Sequence, residues 1–297
     1  MSTEAAEVVR RLTGAQARSV RAGGALTRVE LADGGSAVLK SSRLAGQTAA
    51  EAAGLRWLAE ADAVPVAGVL GQDEEWLLLE YLPSAAPDAD AAGRFGAGLA
   101  RLHASGAPAF GAPPPGGPEQ AWIGRAPMLN RTGPSWPAWY AEHRVQPYLR
   151  LARDAGDLDG EGADTVAAAC TALVEVPELA GPPVAPARLH GDLWSGNVCW
   201  SAAPGAGRTE GWVIDPAAHG GHPETDLAML ALFGCPHLNT VLQGYQQVTA
   251  LHAGWADRVQ LHQLFPLLVH VVMFGRAYSD QAVAAARSVR ALAQDIP

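Results

Sequence analysis

The first third of the chain alternates between short apolar runs and polar turns, a pattern typical of strands packed against a few helices. The apolar runs are rich in Val and Leu, and Asp-Gly-Gly at 33–35 marks a turn between the first two. Segments rich in Ala or Leu with helical spacing flank these runs. The predicted strands cover 20–31, 36–40 and 76–82, and the predicted helices cover 4–13 and 47–62.

Helical spacing dominates the rest of the chain, with one exception near residue 200. Two short apolar runs there, at 198–200 and 212–214, predict strands joined by a loop at 202–209. The Gly- and Pro-rich segment at 106–118 is typical of a surface loop. The predicted helices cover 91–104, 136–153 and 162–173, and the segment 224–296 is predicted to be helical again.

This order of elements predicts an α+β protein with two lobes. A small β-rich N-terminal lobe covers residues 1–83, and a larger, mainly helical C-terminal lobe covers residues 84–297. A chain of 297 residues is long enough to give both lobes a substantial core.

Composition and charge narrow the class of protein. The net charge of −9 disfavours a main role in binding nucleic acid. No apolar run is long enough to cross a bilayer and the N-terminus lacks a signal core, so no membrane partner is expected. Three scattered cysteines without metal-ligand spacing are typical of buried thiols in a reducing compartment. We therefore expect a cytoplasmic protein; its oligomeric state stays open.

The stretch from His190 to Asn197 carries the strongest chemical signal, because it has the spacing His-x-Asp-x-x-x-x-Asn of a kinase catalytic loop. In such a loop Asp192 orients and deprotonates an attacking hydroxyl, and Asn197 holds a metal ion. A second acid, Asp215, ends the apolar run 212–214, where a kinase places its other magnesium ligand. Each residue alone could be a turn cap, but the ordered set favours a kinase that uses ATP and Mg²⁺. His190 is expected to be structural, and Asp226 to be a helix N-cap.

Candidate nucleotide contacts lie in the N-terminal lobe. Lys40 ends a predicted strand and is the chain's only lysine, so a phosphate contact is favoured over an ordinary surface position. Glu51 on the next helix is favoured as the residue that aims Lys40; a solvated helix carboxylate is the alternative. The pair Gly23 and Gly24 could cover phosphates through backbone N–H groups, and an ordinary turn explains it nearly as well.

The segment formed by Glu80, Tyr81 and Leu82 is the candidate hinge between the lobes, where backbone groups could hydrogen-bond adenine. A plain strand end in the core is the alternative. Of the tryptophans, Trp122 and Trp139 could stack on a substrate, although large aromatic residues are more often part of the core.

The motifs resemble those of the fructosamine kinase (ketosamine-3-kinase) family, within the aminoglycoside-phosphotransferase-like kinases. The matching segments, in chain order, are Trp122-Ile123-Gly124, Asn130, the stretch 139–147 with Arg144 and Gln146, the loop 189–198 with its Trp194-Ser195-Gly196 insert, Ile214-Asp215-Pro216-Ala217, and 221–228 with His222.

This resemblance implies a protein-kinase-like fold and ATP-dependent phosphorylation of the 3-hydroxyl of a ketosamine, a fructosamine or ribulosamine, free or protein-bound. Such a reaction serves deglycation. Candidate substrate contacts are Trp122, Trp139, Arg144, Trp194 and His222. The residues leave two alternatives open: a kinase for an aminoglycoside, choline or plain sugar, and a pseudokinase without turnover.

Overall fold

A computed structural model describes residues 2–23, 26–202 and 207–296 of the chain. Its N-terminal part is a five-stranded antiparallel sheet in the order β1-β2-β3-β5-β4, with one helix on either side. The strands are β1 Ala17–Gly23, β2 Leu26–Leu31, β3 Ser36–Ser41, β4 Val69–Gln72 and β5 Trp76–Glu80, and the helices are α1 Ser2–Thr13 and α2 Gln47–Ala59.

Strand alternation determines which side of this sheet faces the cleft. Ala37 and Leu39 of β3 are buried in the core beneath α1. Because successive side chains point to opposite faces, Lys40 lies on the other face, opposite Leu77 of β5. Leu77 packs with residues of α2 on that face. The sequence therefore directs Lys40 toward α2, the helix that carries Glu51.

The remainder is mainly helical. Its helices are α3 Ala89–Ala104, α4 Trp136–Tyr140, α5 Gln146–Asp154, α6 Gly160–Glu175, α7 Glu224–Leu232, α8 Leu238–Gln246, α9 Trp255–Phe274 and α10 Ser279–Asp295. Its short strands pair as three antiparallel hairpins or bridges: β6 Gln120–Ile123 with β7 Ala126–Leu129, β9 Val198–Ala202 with β10 Thr209–Val213, and β8 Ala187–Leu189 with β11 His219–Gly221. The long apolar helix α9 is buried along most of its length and packs against α5, α7 and α10.

Two predicted elements are divided in the structure. The run at 20–31 forms two strands, β1 and β2, in which Gly23 pairs with Leu26. The helix predicted over 136–153 contains a π-helical turn at Ala141–Val145 between α4 and α5. Pro137 and Pro147 lie in the first turns of these two helices, where a missing N–H is tolerated.

The two parts contact each other through α2, through the chain just before β4 and through the segment that follows β5. An antiparallel bridge joins Ser84 to Ser201, and a parallel bridge joins Val66 to Val213. A Cβ at Gly54 of α2 would lie only 3.1 Å from Pro216, so this helix packs closely on the segment after β10. The predicted α+β class, with a small β-rich part and a larger helical part, is confirmed.

Two expectations from composition can be compared with the fold. Across the described ranges, no helix combines the length and apolar character needed to span a membrane. The three cysteines are free thiols, but only Cys170 is buried, whereas Cys199 and Cys235 are half-buried. The prediction of three buried thiols is therefore wrong for two of them.

Candidate active site

The loop between β8 and β9 carries the predicted catalytic residues, and two short strand pairs hold it in place. Strand β11 pairs with β8 just before the loop, and the hairpin β9–β10 closes it. The backbone N–H of Ile214 donates to the carbonyl of Asn197 over 3.1 Å. The ends of β9 and β10 thus bring Asn197 and Asp215 together, although 18 residues separate them.

A buried carboxylate, Asp226, fixes the start of this loop. Its two oxygens accept the backbone N–H groups of His190 at 2.8 Å and Gly191 at 3.0 Å. His103 lies 3.2 Å away, with its other ring nitrogen 3.0 Å from the Tyr245 hydroxyl. Burial alone would raise the pKa of Asp226, but these hydrogen bonds and the nearby histidines lower it, so it stays ionised. Asp226 lies within α7, whose N-cap is Pro223, so the predicted N-cap role is wrong.

His190 and Gly191 have structural tasks. The His190 Nε2–H donates to the Ile214 carbonyl over 2.8 Å, while its Nδ1 accepts the Asp192 N–H over 3.3 Å. Burial lowers the pKa of His190, which therefore remains neutral. Gly191 has φ +83°, and a Cβ there would overlap the carbonyl oxygen of Ala217. Only glycine fits this position without displacing the backbone.

The three charged residues Lys40, Glu51 and Asp215 form one network. Lys40 Nζ lies 2.7 Å and 2.9 Å from the two Glu51 oxygens and 2.7 Å from Asp215 Oδ1. Burial opposes the charge on Lys40, but the two carboxylates outweigh it and raise its pKa. Lys40 is therefore a fixed cation on a rigid strand, suited to contact phosphate.

Asp192 faces Asp215 across the loop. Asn197 Nδ2 donates to the Asp192 carbonyl at 2.8 Å and to its Oδ2 at 3.3 Å. Burial, and then the charge of Asp215, raise the pKa of Asp192 to about 7. Asp192 is thereby poised to take a proton near neutral pH.

The same residues offer oxygen ligands to a divalent cation. Asn197 uses its NH₂ group on Asp192, which leaves its Oδ1 as the atom able to ligate a metal. Asp215 adopts φ +52°, a strained conformation for a non-glycine residue and one often found at functional sites. A cation held by these residues would relieve the repulsion between the carboxylates of Asp192 and Asp215, so this set fits a hard metal ion.

A second group of potential ligands, formed by His222, Glu224 and His262, is buried beside α7, with ligand atoms within 4.8 Å of one another. Arg258 donates to both Glu224 oxygens, at 2.9 Å and 2.6 Å. His222 Nδ1 accepts the Glu224 N–H over 3.2 Å, so its proton resides on Nε2 and no lone pair remains there for a metal. We interpret this group as a buried ion pair.

The network borders a cleft of about 320 Å³ between the sheet and the helical part. The cleft takes in Lys40, Glu51, Asp192, Asn197 and Asp215 together. Among the predicted substrate residues it also takes in Trp122, whose Nε1–H donates to the Ala45 carbonyl at 3.2 Å, and the exposed Trp194.

Three predicted substrate residues, Trp139, Arg144 and His222, do not line this cleft. Trp139 is buried and donates to the Arg131 carbonyl at 2.7 Å. The guanidinium of Arg144 lies 4.6 Å from the Trp139 ring and donates to Asn130 Oδ1 at 2.8 Å. His222 packs on Trp136 and His262. Their placement gives the predicted substrate contacts no support.

The predicted nucleotide contacts that are described lie at or near the ends of β1 and β5. Gly23 ends β1, while Gly24 lies outside the described residues. Glu80 and Tyr81 use their N–H groups within the sheet, on the carbonyls of Gly68 and Ser36. Leu82 follows the end of β5 at the crossing between the two parts.

Sequence reasoning missed several residues that line the cleft. Arg125 sits at the turn of the β6–β7 hairpin, which the apolar pattern did not predict. Gln47 and Ala50 of α2 and Met229 of α7 also line it, and further residues lie on one stripe of α9, which the sequence did not distinguish because α9 is apolar on nearly all sides. This stripe consists of Pro266, Val269, His270 and Met273, and Phe274 at the end of α9 also lines the cleft.

The raised pKa of Asp192 predicts a stability effect. Ionising Asp192 in the folded chain lowers the free energy of unfolding, and this loss grows as pH rises from the ordinary aspartate pKa of about 4 toward about 7. Because Asp192→Asn removes this cost, the variant should melt a few degrees higher than wild type, and the gap should be larger at about pH 8 than at about pH 5. Thermal melts without nucleotide check this; an equal or lower melting temperature at the higher pH contradicts it.

Comparison with solved structures confirms the predicted kinase-like fold. The fold of this chain superposes on a macrolide 2′-phosphotransferase type I with a TM-score of 0.59 and 17% identity, covering 97% of this chain and 96% of that one. At this level of identity the likeness concerns the fold alone.

Sequence comparison identifies the family. A protein of Thermobifida fusca YX-ER1, whose crystal structure is assigned to a fructosamine-3-kinase, is 44% identical in sequence to this chain. The two structures superpose with a TM-score of 0.88 over 96% of this chain and 98% of that one. A protein of Synechocystis sp. assigned as a ketoamine kinase is 33% identical over 246 residues, 78% of this chain and 75% of its own length. The sequence model of the fructosamine kinase family matches residues 4–292. The chain therefore belongs to the fructosamine kinase family, a family of ATP-dependent kinases.

Proposed function

We propose that this protein transfers the γ-phosphoryl group of ATP to the 3-hydroxyl of a ketosamine. The observation that carries the proposal is the convergence of Lys40, Asp192, Asn197 and Asp215 on one cleft that also exposes Trp194. This is the residue set that phosphoryl transfer needs. Membership of the fructosamine kinase family supports the ketosamine as acceptor.

ATP lies in the cleft between lobes 1–83 and 84–297 in this proposal. Lys40, held by Glu51 over 2.7 Å, contacts the phosphates. Adenine hydrogen-bonds to the hinge, most directly at Leu82, because the N–H groups of Glu80 and Tyr81 already serve the sheet. Gly23, at the end of β1, covers the phosphates with its backbone, and Gly24, the other glycine of the predicted pair, lies outside the described residues.

Asn197 and Asp215 would hold Mg²⁺ in this proposal. The oxygen donors and the juxtaposed carboxylates of Asp192 and Asp215 suit this hard cation. The ion supplies charge neutralisation for the phosphate oxygens during transfer. Asp215 also holds Lys40 at 2.7 Å, so the metal ligand and the phosphate contact are positioned together.

Asp192 orients the sugar hydroxyl and accepts its proton as the oxygen attacks the γ-phosphorus. The bond from that phosphorus to the bridging oxygen breaks, which releases ADP and leaves a ketosamine 3-phosphate. Asp226 holds the loop through His190 and Gly191, so positioning supplies much of the catalysis.

Trp122 and Trp194 are the predicted substrate residues that remain in this proposal. They combine apolar faces with nearby polar groups, as a polyol joined to an amine requires. Trp194 lies against Gly196, where a Cβ would overlap its ring. The acceptor in this proposal is a small-molecule or protein-bound ketosamine.

The proposed compartment is the cytoplasm, which the free thiols of the three cysteines support.

The position of the new phosphate tests this proposal. The protein is incubated with ATP, Mg²⁺ and a ribulosamine or fructosamine, and the product is examined by phosphorus–proton correlation NMR. We expect coupling of phosphorus to the proton on C3 of the sugar. Phosphate on another carbon would contradict the proposed orientation of the hydroxyl toward Asp192.

A further inference from the structure

We propose that an aromatic rim at the mouth of the cleft binds the substituent on the amine nitrogen of the ketosamine, so that the enzyme prefers amines bearing an apolar side chain. This inference rests on the proposed function and specifies its substrate. The rim consists of Trp194, Phe233, His270, Phe274 and Tyr278.

The rim is one continuous surface built from three separate parts of the chain. Phe233 is its centre, with ring centroids 6.2 Å from Trp194, 4.8 Å from His270 and 6.2 Å from Tyr278. Phe274 extends it, at 5.4 Å from His270 and 5.9 Å from Tyr278. Such spacings are those of interacting aromatic pairs, so the rings form a preformed wall.

Three rings of this wall are exposed to solvent, whereas large aromatic side chains in a core are buried. Trp194 is 40% exposed, Phe233 36% and Phe274 55%. Single exposed apolar residues are common, but three exposed aromatic rings linked through His270 and Tyr278 make a patch of the kind found at binding sites. An apolar group placed on it would remove that surface from water.

The wall continues directly from the proposed site of phosphoryl transfer. Trp194, His270 and Phe274 line the same cleft as Asp192 and Lys40. Only two carbon–carbon bonds and one carbon–nitrogen bond separate C3 of a ketosamine from its amine nitrogen. With the 3-hydroxyl at Asp192, the amine nitrogen and its substituent therefore lie within the same cleft, whose aromatic lining is Trp122, Trp194, His270 and Phe274.

His270 gives the rim a polar group suited to the amine. Its Nδ1–H donates to the Pro266 carbonyl over 2.7 Å, so Nε2 carries the lone pair. A secondary ammonium can donate to that nitrogen while it lies against the aromatic faces, which attract cations. The five rim residues include no carboxylate, lysine or arginine, so a charged substituent finds no counter-charge within the rim.

Paired substrates with one sugar and two amines test this inference. The fructosamine of 2-phenylethylamine is compared with that of methylamine on the wild-type protein with ATP and Mg²⁺. Burial of a phenyl group predicts kcat/KM about tenfold higher for the phenylethylamine adduct, mainly through KM. In Phe274→Ala the ratio of the two kcat/KM values should fall close to one. Phe233→Ala should lower it in the same direction.

Leu151→Ala, at a leucine that is 42% exposed on α5 and that neither belongs to the rim nor lines the cleft, serves as matched control and should keep the ratio. Equal kcat/KM for the two adducts in wild type, or an unchanged ratio in both Phe variants, overturns the inference and leaves the proposed function standing. Absence of turnover for both adducts in wild type overturns the proposed function and this inference with it. Thermal melts confirm that each variant is folded.

Discussion

Replacing Asp192 by Asn lowers turnover by about a hundredfold or more, the scale of a lost general base. Asn keeps the shape and accepts hydrogen bonds, but it cannot take the proton of the attacking hydroxyl. The pKa of about 7 that burial and Asp215 give Asp192 makes it suited to that task near neutral pH. Nucleotide affinity should stay nearly unchanged, because the variant retains Lys40, the proposed phosphate contact.

Steady-state kinetics with a ketosamine, together with calorimetric titration of the nucleotide, measure these two effects separately. Asp164→Asn makes the same chemical change at an exposed position of α6 and should leave both quantities as in wild type. Turnover near the wild-type rate in Asp192→Asn would remove Asp192 from the role of base.

Replacing Asp215 by Ala should abolish the magnesium-dependent part of nucleotide binding. The substitution takes away the anionic oxygen ligand proposed for Mg²⁺ and one of the two carboxylates that hold Lys40. Calorimetry with ATP in the presence and absence of Mg²⁺ measures the effect. In wild type the metal should increase affinity, and in the variant the two titrations should coincide.

A second variant separates loss of the ligand from strain in the backbone. Asp215 has φ +52°, a conformation that Asn tolerates better than Ala. Asp215→Asn should therefore fold well and still lose most of the metal dependence, since an amide oxygen is a weaker ligand than a carboxylate. Unchanged affinity for magnesium-ATP in both variants would contradict the assignment of Asp215 to the metal.

The sequence predicted best those parts of the site that are local in the chain. His190 to Asn197 form a single loop, so their spacing alone defines their relation. Lys40 and Glu51 lie on consecutive elements, and the alternation of β3 determines that Lys40 faces α2. For the same reason the succession of strands and helices predicted the α+β class.

Residues with site-like chemistry but buried partners could not be recognised from the sequence. Arg144 and Trp139 match a family motif, yet within the core Arg144 donates to Asn130 and its guanidinium packs on the Trp139 ring. Asp226 looked like a helix cap because it opens an apolar helical run. Its actual partners, the N–H groups of His190 and Gly191, are more than 30 residues away in the chain.

The cleft wall was missed because it is assembled by tertiary packing. Arg125 comes from a short hairpin, and His270 and Phe274 come from the end of α9. A helix that is apolar on all sides gives no sign of which stripe faces a cleft and which faces the core. Only the packing of α9 against α5, α7 and α10 distinguishes the two.

The rate of ADP formation from magnesium-ATP tests the proposed ketosamine kinase activity when it is measured with and without a ketosamine, and with an aminoglycoside and choline as alternative acceptors. We expect ADP formation that depends on the ketosamine and is lost in Asp192→Asn. Brisk turnover of an aminoglycoside or choline, with none for any ketosamine, would contradict the ketosamine as acceptor but would leave the assignment as a kinase intact. Absence of turnover with every acceptor would contradict the account as a whole.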